Sequence, residues 1–193
     1  MGRKRAIREP GELRGGAKLR AALADFDAPV RGRVALDVGA AAGGFTSVLL
    51  EAGAARVYAV DAGFGQLLGS LRQHPRVVNL ERTNLGQLST DLVPEPVELV
   101  TMDLSYLSVA DAVPQLERIE LAPGVDLVAL VKPQFELHLA TPPDDSESLA
   151  EALRLAERGI ADAGWRLLGS MESPVRGTRG STEFLVHGRR GPR

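Results

Sequence analysis

The chain has 193 residues, 44% of them hydrophobic, which suits one well-packed domain and is too little for two of ordinary size. It has no cysteine, which excludes a disulfide scaffold, a thiolate nucleophile and a cysteine-ligated zinc; its three histidines (His74, His138, His187) show no ligand spacing, so no bound metal is expected. The net charge of −2 is unevenly spread: residues 1–20 carry +5 and residues 170–193 carry +3, leaving −10 for the middle. Basic ends on an acidic body suit a local phosphate-binding face if the fold brings the ends together, the alternative being solvated tails. No apolar stretch approaches the roughly 20 residues that span a bilayer. Met1-Gly2-Arg3-Lys4-Arg5 is not followed by a signal-peptide core, so a cytoplasmic protein without membrane contact is expected.

Residues 1–14 lack apolar periodicity and contain Glu9-Pro10-Gly11, which predicts a flexible basic arm ahead of a domain over residues 15–190. Leu19, Ala22, Leu23 and Phe26 then give a helical stripe that ends before Pro29. Lys18 falls in its first turn, where the helix dipole favours anions, so this lysine stands against local preference. Val34 to Val38 reads as a strand, followed by three glycines within six positions (Gly39, Gly43, Gly44). The stripe Phe45, Val48, Leu49, Ala52 then marks a buried helix face. Strand, tight turn and helix in that order make a cofactor turn, with unpaired helix N–H groups at its end. Gly39 is followed by Ala40, so the second glycine of a dinucleotide fingerprint is missing. Asp37, Gly39 and Gly43 instead spell Asp-x-Gly-x-x-x-Gly, the pattern of S-adenosylmethionine (SAM) methyltransferases. A second strand, Val57 to Val60, ends in Asp61, where an acid would bind ribose hydroxyls.

Further along, Phe64, Leu67, Leu68 and Leu71 predict a helix closed by Pro75, and Val77 to Leu80 a third strand. Asn84, just past that strand, suits a hydrogen bond to adenine or, equally, a turn. Val97–Met102 and Val125–Val131 predict strands that run into Asp103 and Lys132. Largely apolar strands of this kind are covered by helices on both faces. Ser148 and Glu151 have capping-box spacing before the stripe Leu149, Leu153, Ala156, Ile160. Trp165–Leu168 and Glu183–Val186 complete the sheet around the basic loop Arg176-Gly177-Thr178-Arg179-Gly180. The alternation defines an α/β fold with a doubly wound, mostly parallel sheet.

In such sheets ligands sit outside the carboxyl ends of the strands, which puts Asp103 and Lys132 beside the cofactor turn. Only three of the 23 cations are lysines (Lys4, Lys18, Lys132). Lysine, unlike arginine, can give up its proton and act as a base. A structural Lys132–Asp103 pair is the alternative.

Taken together, Arg14-Gly15-Gly16-Ala17-Lys18-Leu19, Asp37-Val38-Gly39, Gly43-Gly44-Phe45-Thr46, the Asp61 to Leu67 stretch, Glu81-Arg82-Thr83-Asn84, Asp103-Leu104-Ser105-Tyr106, Leu130-Val131-Lys132-Pro133-Gln134-Phe135-Glu136 and Ser173-Pro174-Val175-Arg176-Gly177 with Glu183-Phe184-Leu185 resemble the TlyA type of FtsJ-like RNA methyltransferases. That family comprises ribosomal RNA 2′-O-ribose methyltransferases, often labelled haemolysins. The resemblance runs in order from residue 14 to residue 187. It implies a Rossmann-like SAM-dependent methyltransferase fold and a Lys-Asp-Lys-Glu tetrad on Lys18, Asp103, Lys132 and Glu183. It further implies a SAM site on Asp37, Gly39, the Gly43-Gly44-Phe45 turn and Asp61, with Asn84 and Asp103 beside it. Lys132 would be the base and Lys18 would orient the ribose or a phosphate. Arg3, Lys4, Arg5, Arg14, Arg176 and Arg179 would meet RNA, either ribosomal RNA or a ribosomal subunit. The sequence departs from the family in Ala40-Ala41, in Ser181-Thr182 before the glutamate, and in starting without the usual N-terminal S4-type RNA-binding domain. A SAM enzyme for a small molecule and a non-catalytic RNA-binding module are the competing expectations.

Overall fold

The computed structural model describes residues 13–191. The expected arm, with Arg3, Lys4 and Arg5, therefore lies outside the described residues, except for its last two positions. The elements alternate as expected: α1 (Arg14–Phe26), β1 (Val34–Val38), α2 (Gly44–Glu51), β2 (Arg56–Asp61), α3 (Gly69–Arg72), β3 (Val77–Glu81), β4 (Val97–Met102), α4 (Val109–Ala112), β5 (Leu121–Val131), α5 (Pro133–Glu136), α6 (Ser146–Asp162), β6 (Trp165–Glu172) and β7 (Phe184–Arg190). They build one seven-stranded sheet in the order β3-β2-β1-β4-β5-β7-β6. β1 to β5 are mutually parallel, whereas β7 runs antiparallel to both β5 and β6.

The period-two alternation of strand side chains divides the core into two layers. Leu36, Val38, Val100, Met102, Leu127 and Ala129 face α4 and α6, packing on Val109, Ala112, Ala156 and Ile160. Ala35, Val57, Leu99, Val128, Leu130 and Leu185 face α1 and α2, packing on Leu19, Ala22, Val48 and Leu49. Chain order reverses between β1 and β4, so the crevice at their carboxyl ends is the switch point where ligands bind.

Two local expectations are corrected. The stripe Phe64 to Leu71 is mostly loop, with helix only over Gly69–Arg72, because Gly65 takes a φ of +73°, which breaks a right-handed helix; the amides of Gln66 and Leu67 then donate to Glu81 Oε1 (2.8 and 3.2 Å), which ties the loop to the end of β3. Phe64 is left 62% exposed. The cap of α6 is Asp145, whose carboxylate accepts from the Ser148 amide at 2.8 Å, so the helix begins before the expected Ser148–Glu151 box. A short 3-10 segment after α4 (Val113–Arg118) has no counterpart in the periodicity reading.

At the amino edge of the parallel strands, Asp126 is fully buried and accepts from Arg33 Nη1 (2.6 Å), His187 Nε2 (2.8 Å) and Arg189 Nε (2.8 Å). Burial pushes this carboxyl up, but the donors His187, Arg33 and Arg189 outweigh it and hold it at about 2. His187 also stacks on Phe26, with ring centroids 5.4 Å apart.

Candidate active site

The turn after β1 is shaped by Gly39, whose φ of +84° suits glycine and whose missing side chain admits the end of β4: a Cβ there would lie 2.3 Å from the Asp103 carbonyl oxygen. Ala41 also takes a positive φ, +45°, and so aims its amide at Asp61. The Asp61 carboxylate accepts from the Ala41 amide (2.8 Å) and the Gly63 amide (2.7 Å), tying the turn to the end of β2. Between these loops and the end of β4 lies a cavity of about 240 Å³. Gly39, Asp61 and Asp103 line it together with Gln66, Ser105 and Tyr106. A backbone that comes this close, next to an acid on the second strand, fits an adenosine-bearing cofactor held by its ribose.

Several expected cofactor residues lie behind the wall of this cavity and are not among its lining residues. Asp37 is fully buried, because its position in the alternation turns it toward α2, where Thr46 Oγ1 (2.6 Å) and Thr101 Oγ1 (3.0 Å) donate to it. Burial pushes the Asp37 carboxyl up to about 6; the hydrogen bonds from Thr46 and Thr101 oppose it and the nearby Asp103 carboxylate adds to it. Gly43 packs beneath Leu71 and Leu67, Gly44 against Gly15 and Gly16, and Phe45 is 3% exposed. Asn84 is exposed and opens the 3-10 turn Leu85–Gln87, its backbone N–H donating to Gln87 Oε1 at 2.8 Å.

The tetrad positions do converge. β5 and β7 pair with Val131 opposite Phe184, so Lys132, one step beyond, emerges beside Glu183, one step before. Lys132 Nζ lies 2.7 Å from Asp103 Oδ1 and donates to Ser105 Oγ at 2.9 Å. Lys18 reaches from the second turn of α1 to Glu183 Oε2 at 2.5 Å, with both side chains buried. Lys132 and Lys18 are thus each matched by one carboxylate.

Among the described residues, Arg14 meets the basic loop before β7. Arg14 Nη2 donates to the carbonyls of Arg176 (2.6 Å) and Gly177 (2.9 Å), which clamps the loop before β7 onto α1. Gly177 lies against the Glu183 carboxylate, so a side chain at this position would displace it. Arg176 donates to Thr182 Oγ1 and pairs with Glu172 at 3.3 Å. Arg179 is exposed, with a φ of +59°.

Residues that the sequence reading did not single out are Gln66 and Tyr106, the latter 53% exposed at the cavity, and Glu136. Glu136 is 4% exposed and accepts from the amides of Val109 (2.6 Å) and Ala110 (3.5 Å); burial pushes its carboxyl up to about 7 against those bonds. Its motif, Lys132-Pro133-Gln134-Phe135-Glu136, was the available signal.

A glycine turn after β1, an acid at the end of β2, a cavity at the switch point and an antiparallel seventh strand define a methyltransferase of Rossmann-like fold. A solved SAM-dependent methyltransferase from Mesorhizobium loti, only 18% identical, shares this fold with a TM-score of 0.65 over 92% of this chain and all of that one. The FtsJ-like methyltransferase family model matches residues 13–190, and the chain belongs to that family. It is similar to the 16S/23S rRNA (cytidine-2′-O)-methyltransferase TlyA of Mycobacterium tuberculosis, at 42% identity over 178 residues that make up 90% of this chain and 66% of that protein. It is also similar to the solved structure of a candidate hemolysin from Streptococcus thermophilus, with 34% identity and a TM-score of 0.87 over 95% of this chain and 69% of that one. The chain thus spans slightly less than two thirds of the mycobacterial protein's length.

Proposed function

We propose that this protein is a SAM-dependent RNA methyltransferase that acts on a ribose 2′-hydroxyl, with ribosomal RNA, free or in a ribosomal subunit, as its substrate. The observation that carries the reading is the pairing of Lys132 with Asp103 and of Lys18 with Glu183 on adjoining elements. The similarity to a protein named as an rRNA (cytidine-2′-O)-methyltransferase supports the substrate class. In this reading the methyltransferase domain runs to residue 190 and takes in Arg14, the first residue of α1 and one position before the expected boundary at 15; the residues ahead of it form a basic arm, and the protein works in the cytoplasm. No helix among the described residues is long and apolar enough to cross a membrane.

Asp61 would hold the cofactor's ribose, with Gly39 giving room for close approach; when bound, SAM supplies an activated methyl group on its sulfonium. The chain's remaining task is to place the nucleophile and accept its proton. Lys132, once its ammonium has given up a proton to solvent, takes the 2′-hydroxyl proton as the free amine; Ser105 and Asp103 fix the direction of Nζ, and the Asp103 carboxylate stabilises the lysinium that results. Lys18, held by Glu183, orients the ribose or its phosphate. Asp37, Gly43, Gly44 and Phe45 support the turn from behind, and Asn84 flanks the cavity on the adenine side. Arg3, Lys4, Arg5, Arg14, Arg176 and Arg179 attract the RNA backbone.

The test is incubation with methyl-labelled SAM and, separately, ribosomal subunits, total RNA and a small-molecule extract, followed by nuclease digestion of the RNA. Label in 2′-O-methylated nucleotides is expected. Label confined to small molecules, or to nucleobases, would sink the reading.

A further inference from the structure

The acid of the Lys132 motif has no part in proton transfer as derived above, yet it is among the few charged side chains buried in the molecule. Its position gives it a role. β4 ends at Asp103, and the segment that follows, Asp103-Leu104-Ser105-Tyr106, lines the cavity before the chain enters α4 at Val109. One end of this segment is fixed to the sheet, where the Asp103 amide donates to the Val38 carbonyl at 2.9 Å. Its middle is gripped by Lys132 through Asp103 and Ser105. Its far end is gripped by Glu136, whose carboxylate accepts from the Val109 amide at 2.6 Å and reaches the Ala110 amide at 3.5 Å. Lys132 and Glu136 are only four residues apart, at the two ends of the single turn α5. One rigid corner therefore holds the whole segment.

We propose that Glu136 is a positioning residue for methyl transfer: by tying the first turn of α4 to the corner that carries Lys132, it sets the separation of Lys132 Nζ from Asp103 and Ser105. The proposal rests on the methyl-transfer reading for its kinetic consequence, but the placement of Lys132 can be tested without it. A carboxylate suits the task because it presents two acceptor oxygens to two adjacent amides, both otherwise unpaired at a helix start. A glutamine of the same shape would turn an N–H₂ donor on one of those amides.

The chain's three lysines make the test direct, since a protein labelled with ¹³C at lysine Cε gives one signal each for Lys4, Lys18 and Lys132. In Glu136→Gln the Lys132 signal should move while that of Lys18 stays in place. In parallel, kcat for methyl transfer should fall roughly 10-fold, with KM for SAM changed by less than about 2-fold, as expected when a reacting group is misplaced by a fraction of an ångström. Glu136→Asp, which keeps the charge but withdraws it by one methylene, should act in the same direction and serves if the glutamine variant fails to fold. An unmoved Lys132 signal in a folded variant would overturn the proposal, and so would equal movement of the Lys18 and Lys132 signals, which marks general loosening. An unchanged kcat per folded molecule alongside a shifted Lys132 signal would also overturn it. A wild-type protein inactive on RNA would reject the functional reading, while the signals would still decide whether Glu136 places Lys132.

Discussion

The two edges of the sheet bury carboxylates in opposite ways. At the amino edge Asp126 meets two arginines and a histidine and is held at about 2, so it is ionised at any pH where the protein works. At the carboxyl edge Asp37 has two threonine hydroxyls and Glu136 two backbone amides; burial pushes them up to about 6 and about 7. The first arrangement sets its carboxylate among cations, whereas the second gives its carboxyls neutral donors and burial that favours the protonated form, as at functional sites. The edges should therefore separate in experiment, one failing in stability and the other in turnover.

The largest effect is expected at the carboxyl edge. Lys132→Ala should cut methyl transfer about 10²- to 10⁴-fold, the usual worth of positioned acid-base catalysis, while SAM binding and the melting temperature stay near wild type. Lys132→Arg should do no better, because guanidinium keeps the charge but cannot accept the proton. If arginine restores most of the turnover, Lys132 acts as a fixed charge and the general-base role is wrong. Next comes the other edge: Asp126→Ala strands Arg33, Arg189 and His187, and should cost about 3 kcal/mol in denaturant titration, with turnover per folded molecule retained. A variant as stable as wild type would erase the contrast.

A subtler test lies in pH. Because the folded Asp37 carboxyl titrates at about 6, against 3.8 when unperturbed, the native state still holds a proton that the unfolded chain has released between those values. Stability should therefore fall as pH rises through that window. Asp37→Asn should remove this part of the slope, and unfolding curves from pH 4 to 7 that keep it would place the titration elsewhere. Asp126 has the opposite sign: its folded value lies below 3.8, so its contribution is present above that pH and is lost as the pH falls toward 2. The smallest effect concerns Ala41, a non-glycine at positive φ in the cofactor turn. Ala41→Gly should raise stability by about 0.5 to 1 kcal/mol, since the left-handed strain it relieves exceeds the entropy it adds to the unfolded chain. A loss of stability would show that the alanine is not strained.

What the sequence could and could not disclose follows from how local each signal is. Apolar strands running into Asp103 and Lys132 report their own position, because a charge directly after a buried run has to emerge at the strand end. Lys18 carried only a weak local mark, its place at the start of a helix, and Glu183 carried almost none. Their meeting depends on a strand that reverses direction between β5 and β6, and resemblance to a family supplied what spacing could not. The stripe Phe64 to Leu71 misled because periodicity cannot see that Gly65 turns left-handed and that Glu81, on another strand, holds the segment as a loop. For Asp37 the motif was legible but the direction of the side chain was not, since that follows from which face of β1 meets Thr46 and Thr101. Glu136 stood in plain view as the last letter of a motif; its partners, 26 and 27 positions earlier, appear only once β4 and β5 are paired.

The bond from Lys18 to Glu183 joins positions 165 apart, and that separation has a consequence for the protein's own synthesis. Every residue that lines the cavity, from Val38 to Tyr106, is synthesised long before Glu183 leaves the ribosome's exit tunnel. Until then Lys18 has no carboxylate and the clamp from Arg14 has no loop to hold. Capacity for the reaction should therefore switch on late and abruptly during translation: nascent chains stalled before residue 183 would be silent, whereas chains released a few dozen residues later in an extended fusion would be active.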